Sequence, residues 1–305
     1  MMLRPRVQDK PREDGRGRLI VITTPLGRAE DITLRAARAL LSARWIACED
    51  TRVTRKLICR LKEDDLKSLF GIQAGSEAET HYLSVREANE AEGAQKVIRI
   101  IENGEDVLYC TDAGSPGVSD PGRVLVEQVR QAGYQVQVFP GASAVTASLA
   151  LSGMSADRFY FAGFLPAKAS ARRRALEEIK RRVETIVLFE APHRMQELMA
   201  DTSEICGDRD VVICREMTKE HEEIVRTVPS EAAKREDWRG EITIVMAGAP
   251  SEQAPVSTLD IEEFLKREIA GGATVRDAVD ETVKVLGVSK REAYKMALAL
   301  KAPPS

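Results

Sequence analysis

Residues 107–131 read VLYC-TDAGSPGVSDPG-RVLVEQVRQ. A four-residue apolar run is followed by a helical pattern, with Val124, Leu125, Val126 and Val129 as its apolar positions. Between them, Cys110 to Gly122 spans thirteen residues with three Gly and two Pro. An ordinary strand-to-helix turn takes about 2–6 residues. Gly lets the backbone approach a neighbour closely, and Pro sets φ while removing a donor. A loop of this make-up presents peptide groups in a set geometry. At the carboxyl end of a strand, it stands where α/β sheets bind ligands. The plain alternative is a compact connecting loop.

The pattern repeats on both sides of this stretch. Strand-like runs at 19–22, 45–48, 107–110 and 135–139 alternate with helical patterns at 33–43, 91–102 and 123–131. Such alternation means βαβ units and a largely parallel sheet. After Pro140-Gly141 a second region opens, with a helix that Ser143 can cap and strand candidates at 159–162, 185–189, 211–214 and 241–246. A Pro/Ser-containing stretch at 248–257 then leads to three helical patterns. The last two of these meet at Gly287-Val288, with Ser289 at a cap position, which is the helix-turn-helix pattern. The fold class is therefore α/β. Its expected divisions are a disordered tail at 1–17, an α/β domain at 18–139, a second at 140–249 and a helix-turn-helix-like module at 256–305.

Composition narrows the function. A chain of 305 residues suits two or three domains, and 30% charged residues with a net charge of −3 suit a globular protein that carries at most a local basic patch. No apolar run approaches the ~18 residues of a membrane span, and the N-terminus lacks a signal-peptide core. A cytoplasmic protein without membrane contact is expected. Five Cys without a C-x-x-C fit buried cytosolic thiols, and three His without H-E-x-x-H argue for no metal site. G-x-G-x-x-G after the first strand, the P-loop and the G-x-S-x-G elbow are absent, which sets aside phosphate-rich cofactors and serine hydrolases.

Five polar segments adjoin strand ends: CEDTRVTRK (48–56), CTDAGSPGVSDPG (110–122), PGASA (140–144), FEAPHR (189–194) and REMTKEHEE (215–223). Together they favour one cleft between domains. With TTPLG (23–27), RFYFAGFLP (158–166) and GEITIV (240–245), these segments resemble, in order, the ribosomal RNA small subunit methyltransferase I family of the tetrapyrrole-methylase superfamily. The likeness covers about residues 18–248, and the C-terminal helices resemble that family's appended module. Val53, Arg86 and Thr227 stand where the family often carries His, His and Gly.

The resemblance implies two α/β domains of tetrapyrrole-methylase type with an S-adenosylmethionine cleft between them. It implies methylation of the ribose 2′-hydroxyl of a cytidine in the decoding region of small-subunit rRNA, by a homodimer. Carried over, the cofactor contacts fall on Pro25, Cys110, Thr111, Asp112, Val118, Ser143, Ala144, Phe189, Glu190, Met246 and Ala247. A 2′-hydroxyl needs its proton removed. Glu190 and Lys219 come first as catalytic candidates because they flank the presumed cleft, with Asp50 behind; His193 and Glu216 stay open. Arg52, His193, Arg194 and Arg215 are the substrate-binding candidates, the arginines as phosphate clamps or structural ion pairs. The stretch 168–182 carries seven basic residues against two acidic and is expected to track RNA phosphates. Within it, Arg173 and Arg174 would pair with Glu177 and Glu178, leaving Arg172, Lys180, Arg181 and Arg182 free. Two rivals remain: a corrin or porphyrin methylase of the same superfamily, and a non-enzymatic nucleic-acid-binding regulator with an α/β ligand domain.

Overall fold

The computed structural model describes residues 15–63, 65–66, 79–250, 258–286 and 288–301. Residues 1–14 of the expected tail, most of the linker (251–257), Gly287 and residues 302–305 lie outside the described residues.

Two five-stranded sheets organise the chain. The first contains β1 (Leu19–Ile22), β2 (Trp45–Cys48), β3 (His81–Ser84), β4 (Val107–Cys110) and β5 (Val136–Phe139), in the order β3-β2-β4-β1-β5. Every pairing in it is parallel. Both faces are covered, which explains why β1 and β4 are apolar throughout. One face packs on α1 (Leu34–Ser42) and α2 (Thr51–Leu61), the other on α3 (Glu90–Glu102) and α4 (Arg123–Gln131). Thr33 starts α1 by accepting from Ala36 N at 3.3 Å. The start of α4 is capped from a distance: buried Glu90 accepts from Gly122 N at 2.8 Å and Leu125 N at 2.9 Å. The expected tail ends earlier than residue 17, because Gly17 is buried and donates to Ile101 O at 3.0 Å.

The second sheet is mixed. It contains β6 (Phe159–Phe164), β7 (Thr185–Glu190), β8 (Val211–Arg215), β9 (Glu223–Thr227) and β10 (Ile242–Met246), in the order β6-β7-β10-β8-β9. Only β6 and β7 are parallel; β10 runs antiparallel to both β7 and β8. Helix α5 (Ala144–Ser152) covers one face through Val145 and Leu149. Helices α6 (Ala169–Ile179) and α7 (Met195–Cys206) cover the other. The sequence reading missed β3 and β9. Both are edge strands, only partly buried, so their apolar signal is weak.

After a four-residue helix, α8 (Pro229–Ala232), three further helices complete the described chain: α9 (Thr258–Ala270), α10 (Val275–Leu286) and α11 (Lys290–Lys301). They enclose a small core of their own, including Ile261, Leu265, Ala278, Val279, Ala293 and Ala297. No helix among the described residues is long and apolar enough to cross a membrane. The thiols of Cys48, Cys110 and Cys214 are buried as expected, but Cys59 is exposed on α2.

Candidate active site

The loop after β4 is stitched to its surroundings. Thr24 and Gly114 form an isolated antiparallel bridge, with Thr24 N to Gly114 O at 2.9 Å and Gly114 N to Thr24 O at 3.2 Å. Gly114 sits at φ 74°, a left-handed backbone that a side chain would strain. Ser115 Oγ donates to Ala142 O at 3.4 Å and ties the loop to the start of the second half. At its far end Gly122 lies against Tyr109, where a Cβ would come within 2.9 Å of the ring. Thirteen residues are thus spent on two tethers and one wall.

That wall encloses a cleft of about 410 Å³. Leu26, Glu49 and the 112–120 part of the loop form one side. Ser143, Ala144, Phe164, Phe189, Glu190 and the start of β10 form the other. Five carboxylates line it (Glu49, Asp112, Asp120, Glu190 and Glu241), with no Lys or Arg among the lining residues. Burial raises the Asp112 and Glu49 carboxyls above their usual range; repulsion from Asp112 and Asp50 adds to it for Glu49, and repulsion from Asp50 and Glu241 adds to it for Asp112. Asp120, whose surface is open to the cleft, is pushed up to about 6 by desolvation and then by Glu49. Glu190 is buried and also raised, by desolvation, although Ala191 N donates to its Oε1 at 2.8 Å. Its Oε2 lies 3.2 Å from Arg194 Nη2, outside hydrogen-bond geometry. Phe189 meets Phe161 and Phe164 edge-on, with ring centroids 5.0 and 5.6 Å apart.

The expected site residues divide sharply. Asp112, Val118, Ser143, Ala144, Phe189 and Glu190 line the cleft. Ser143 occupies the N-cap of α5, but its side chain makes no capping bond. The hydroxyl therefore remains available to the cleft. Pro25 is buried and outside the lining, and its neighbour Leu26 takes the wall position. Cys110 and Thr111 are buried at the base of the loop, and burial pushes the Cys110 thiol up to about 12. Met246 and Ala247 are displaced from the cleft altogether. Because β10 is antiparallel, Ile242 pairs with Glu190 at the cleft, whereas Met246 pairs with Ile186 at the other end. Gly240, Glu241, Ile242 and Thr243 line the cleft in their place.

The polar candidates change character too. Lys219 sits at the rim, with Nζ 3.0 Å from Glu216 Oε1 and 3.1 Å from Glu241 Oε2. Burial opposes its charge, yet these bonds outweigh burial and hold its pKa above the usual lysine range. Lys219 is a cation and not a base. Asp50 caps α2 by accepting from Arg52 N at 2.8 Å and pairs with the Arg52 guanidinium at 2.6 Å. That pairing lowers it to about 2, which makes it a weak proton acceptor. Glu216, at φ 50°, holds Lys219 and Glu241 N and its carboxyl is lowered: burial opposes the charge, and those bonds outweigh it. Arg194 donates to Leu165 O at 2.6 Å besides facing Glu190, and Arg215 donates to Glu223 at 2.9 Å. Both are structural partners, not free clamps. His193 is exposed outside the cleft lining.

Sequence reasoning missed Glu49, Asp120, Phe164 and the 240–243 segment. The second Asp of the loop, in SDPG, was the available signal for Asp120. Nothing local marks Glu241, because its position depends on strand direction.

Comparison with known proteins gives the family and the fold. Residues 18–233 match the family described as Tetrapyrrole (Corrin/Porphyrin) Methylases. The ribosomal RNA small subunit methyltransferase I of Bacillus subtilis (strain 168) is 35% identical over 286 residues, covering 91% of this chain and 93% of that protein. The chain belongs to the ribosomal RNA small subunit methyltransferase I family. The protein of the same description from Mycobacterium tuberculosis (strain ATCC 25618 / H37Rv) is 40% identical over 92% of this chain and 95% of its own. Among solved structures, the methyltransferase CobJ superposes with a TM-score of 0.57 at 18% identity, over 76% of this chain and 95% of its own. Uroporphyrin-III C-methyl transferase from Thermus thermophilus, complexed with S-adenyl homocysteine, gives 0.53 at 19%, over 76% and 97%. These two share the fold of this family member.

Proposed function

We propose that the protein uses S-adenosylmethionine to methylate small-subunit rRNA at the ribose 2′-hydroxyl of a cytidine, as a cytoplasmic homodimer. The observation that carries this reading is the acidic, backbone-walled cleft in a chain of this family. A sulfonium and an ammonium group are cations; Glu190 faces Arg194 and Glu241 binds Lys219, but Glu49, Asp112 and Asp120 remain to suit them. The uncapped start of α5, with the free Ser143 hydroxyl, suits the cofactor's own carboxylate. Phe164 and Phe189 offer ring faces and edges to its adenine. When bound, the cofactor supplies the methyl group.

The remaining chemistry belongs to the chain. The cleft must orient a ribose hydroxyl and accept its proton, worth ~10²–10⁴-fold in rate. Asp120 is the carboxylate best suited to accept it. It faces the cleft, and a value of about 6 leaves it ionised but appreciably basic at neutral pH. Glu190, with one oxygen held by Ala191 N and the other facing Arg194, orients rather than accepts. Lys219 supplies positive charge at the rim.

The test incubates the protein with methyl-labelled S-adenosylmethionine and either isolated small subunits or a tetrapyrrole precursor. Label in a nucleotide whose 3′ linkage resists alkali supports the proposal. Label in the tetrapyrrole, or in a base, overturns it. For Asp120, the rate should fall as pH drops through about 6, and Asp120→Asn should lose ~10²-fold or more at neutral pH while still binding the cofactor. An unchanged pH profile in the variant would remove Asp120 from the role.

A further inference from the structure

The cleft that suits a cation also repels phosphate. A nucleic-acid strand can therefore lower only a nucleoside into it and must keep its phosphates outside, beside a cationic surface close to the mouth. Helix α2 begins at that mouth: Asp50 N, at its cap, donates to Asp112 Oδ1 at 3.1 Å. Residues 51–61 contain four basic residues and no acidic one. Arg52, Arg55, Lys56 and Cys59 follow the i, i+3, i+4, i+7 spacing of one helix face, and all four are exposed. The stripe runs away from the cleft for ~10 Å, enough to meet more than one phosphate.

The cations of this stripe are not all alike. Arg52 is paired with Asp50, and Arg60, off the stripe, is held by Glu30, Glu63 and Asp65. Among the described residues no carboxylate pairs with Arg55 or Lys56. Arg55 instead lies over the Tyr82 ring, 3.9 Å from its centroid. Stacking holds the guanidinium plane in place and leaves its edge N–H groups for a phosphate, so less side-chain freedom is lost on binding.

We propose that Arg55 and Lys56, continuing from Arg52, form a grip for the phosphodiester backbone of the RNA strand that flanks the nucleotide held in the cleft. This inference rests on the RNA-methylating reading above. The test compares full-length wild type with the double variant Arg55→Gln/Lys56→Gln, both exposed positions outside the cleft lining. Affinity for naked small-subunit rRNA and for intact small subunits is measured across a salt series. Two single-strand phosphate contacts contribute ~1.4 to the slope of log affinity against log salt, so the variant should lose about that slope and bind roughly ten- to thirty-fold more weakly at ~0.1 M salt. Its melting temperature and its S-adenosylmethionine affinity by calorimetry should match wild type. The single variant Arg55→Lys, which keeps charge without the planar stack, should fall between the two. An unchanged slope overturns the grip. So does weakened binding to intact subunits with unchanged binding to naked rRNA, which would assign the stripe to a ribosomal protein. Wild-type protein that binds RNA but transfers no methyl to it would instead sink the functional reading, and is read separately.

Discussion

Helices α2 and α6 look alike as strings of basic residues, yet they end in opposite electrostatic states. In α6, Arg172 and Arg173 turn toward α7, while Arg174 stays exposed. Arg172 is 3% exposed and lies 2.8 Å from Asp201 and 3.1 Å from Glu197 of α7. Arg173 is bound by Asp201 and Glu204 of the same helix. Arg182, beyond the helix, stacks over Tyr160 at 3.6 Å, and Lys180 stands 3.9 Å from Glu177. The expectation that Arg172 is free and Arg173 pairs within its own helix is overturned on both counts. In α2 no neighbouring helix supplies carboxylates to Arg55 or Lys56 among the described residues. A basic run becomes a binding surface only where the facing element leaves it unneutralised.

The contrast can be broken most forcefully at Arg172. If it is a structural rivet, Arg172→Met leaves the largely buried Asp201 with Arg173 alone and removes the cation that Glu197 faces. Because Arg173 still pairs with Asp201, the loss is that of hydrogen bonds to a charged group, about 1.5–3 kcal/mol, and a chemical-denaturation series should report a loss of that order with cofactor affinity retained in the protein that remains folded. A stability within ~0.5 kcal/mol of wild type would mean that α6 is not held to α7 by charge.

The next test sharpens the comparison from the other side. Arg174 and Arg181 are exposed near α6. The double variant Arg174→Gln/Arg181→Gln should change the salt slope of RNA binding by less than ~0.7, the value of one single-strand contact. A loss equal to that of the α2 variant would restore this region as an RNA surface.

The smallest effect concerns the start of α2. Asp50 is held at about 2, below its unfolded value near 4, chiefly by its bond to Arg52. A depressed carboxyl stabilises the folded state above the unfolded value and loses that contribution as pH falls through the folded one. Asp50→Ala should therefore melt slightly below wild type at pH 6, and the gap should close between about pH 4 and pH 2. A gap independent of pH would show that the charge does not matter to the cap.

The same logic explains what was readable in advance. Four strands of the first sheet were legible, all but the half-buried edge strand β3, because both faces are covered and β1 and β4 are apolar end to end. The Gly/Pro loop was legible because few other roles need that composition. Strand direction in the second sheet was not: the resemblance put expected contacts at Met246 and Ala247, whereas the antiparallel β10 brings residues 240–243 to the cleft. A run such as ITIVM has the same apolar signature in either direction. The roles of Lys219, Arg194 and Arg215 were hidden for a related reason. Each is decided by a partner (Glu241, Leu165 O, Glu223) that only the fold brings near.

The position of β10 has a consequence for how the chain matures during synthesis. It is the last strand of its sheet in sequence, yet it lies between β7 and β8. Until residue 246 has left the ribosome, both of those strands present open, apolar edges, the kind that pair with the wrong chain. The second sheet therefore cannot close as it emerges; it waits for one insertion, made at the ~5–20 residues per second of elongation. That insertion also brings Glu241 to the cleft, so the sheet and one wall of the cleft are completed by the same event.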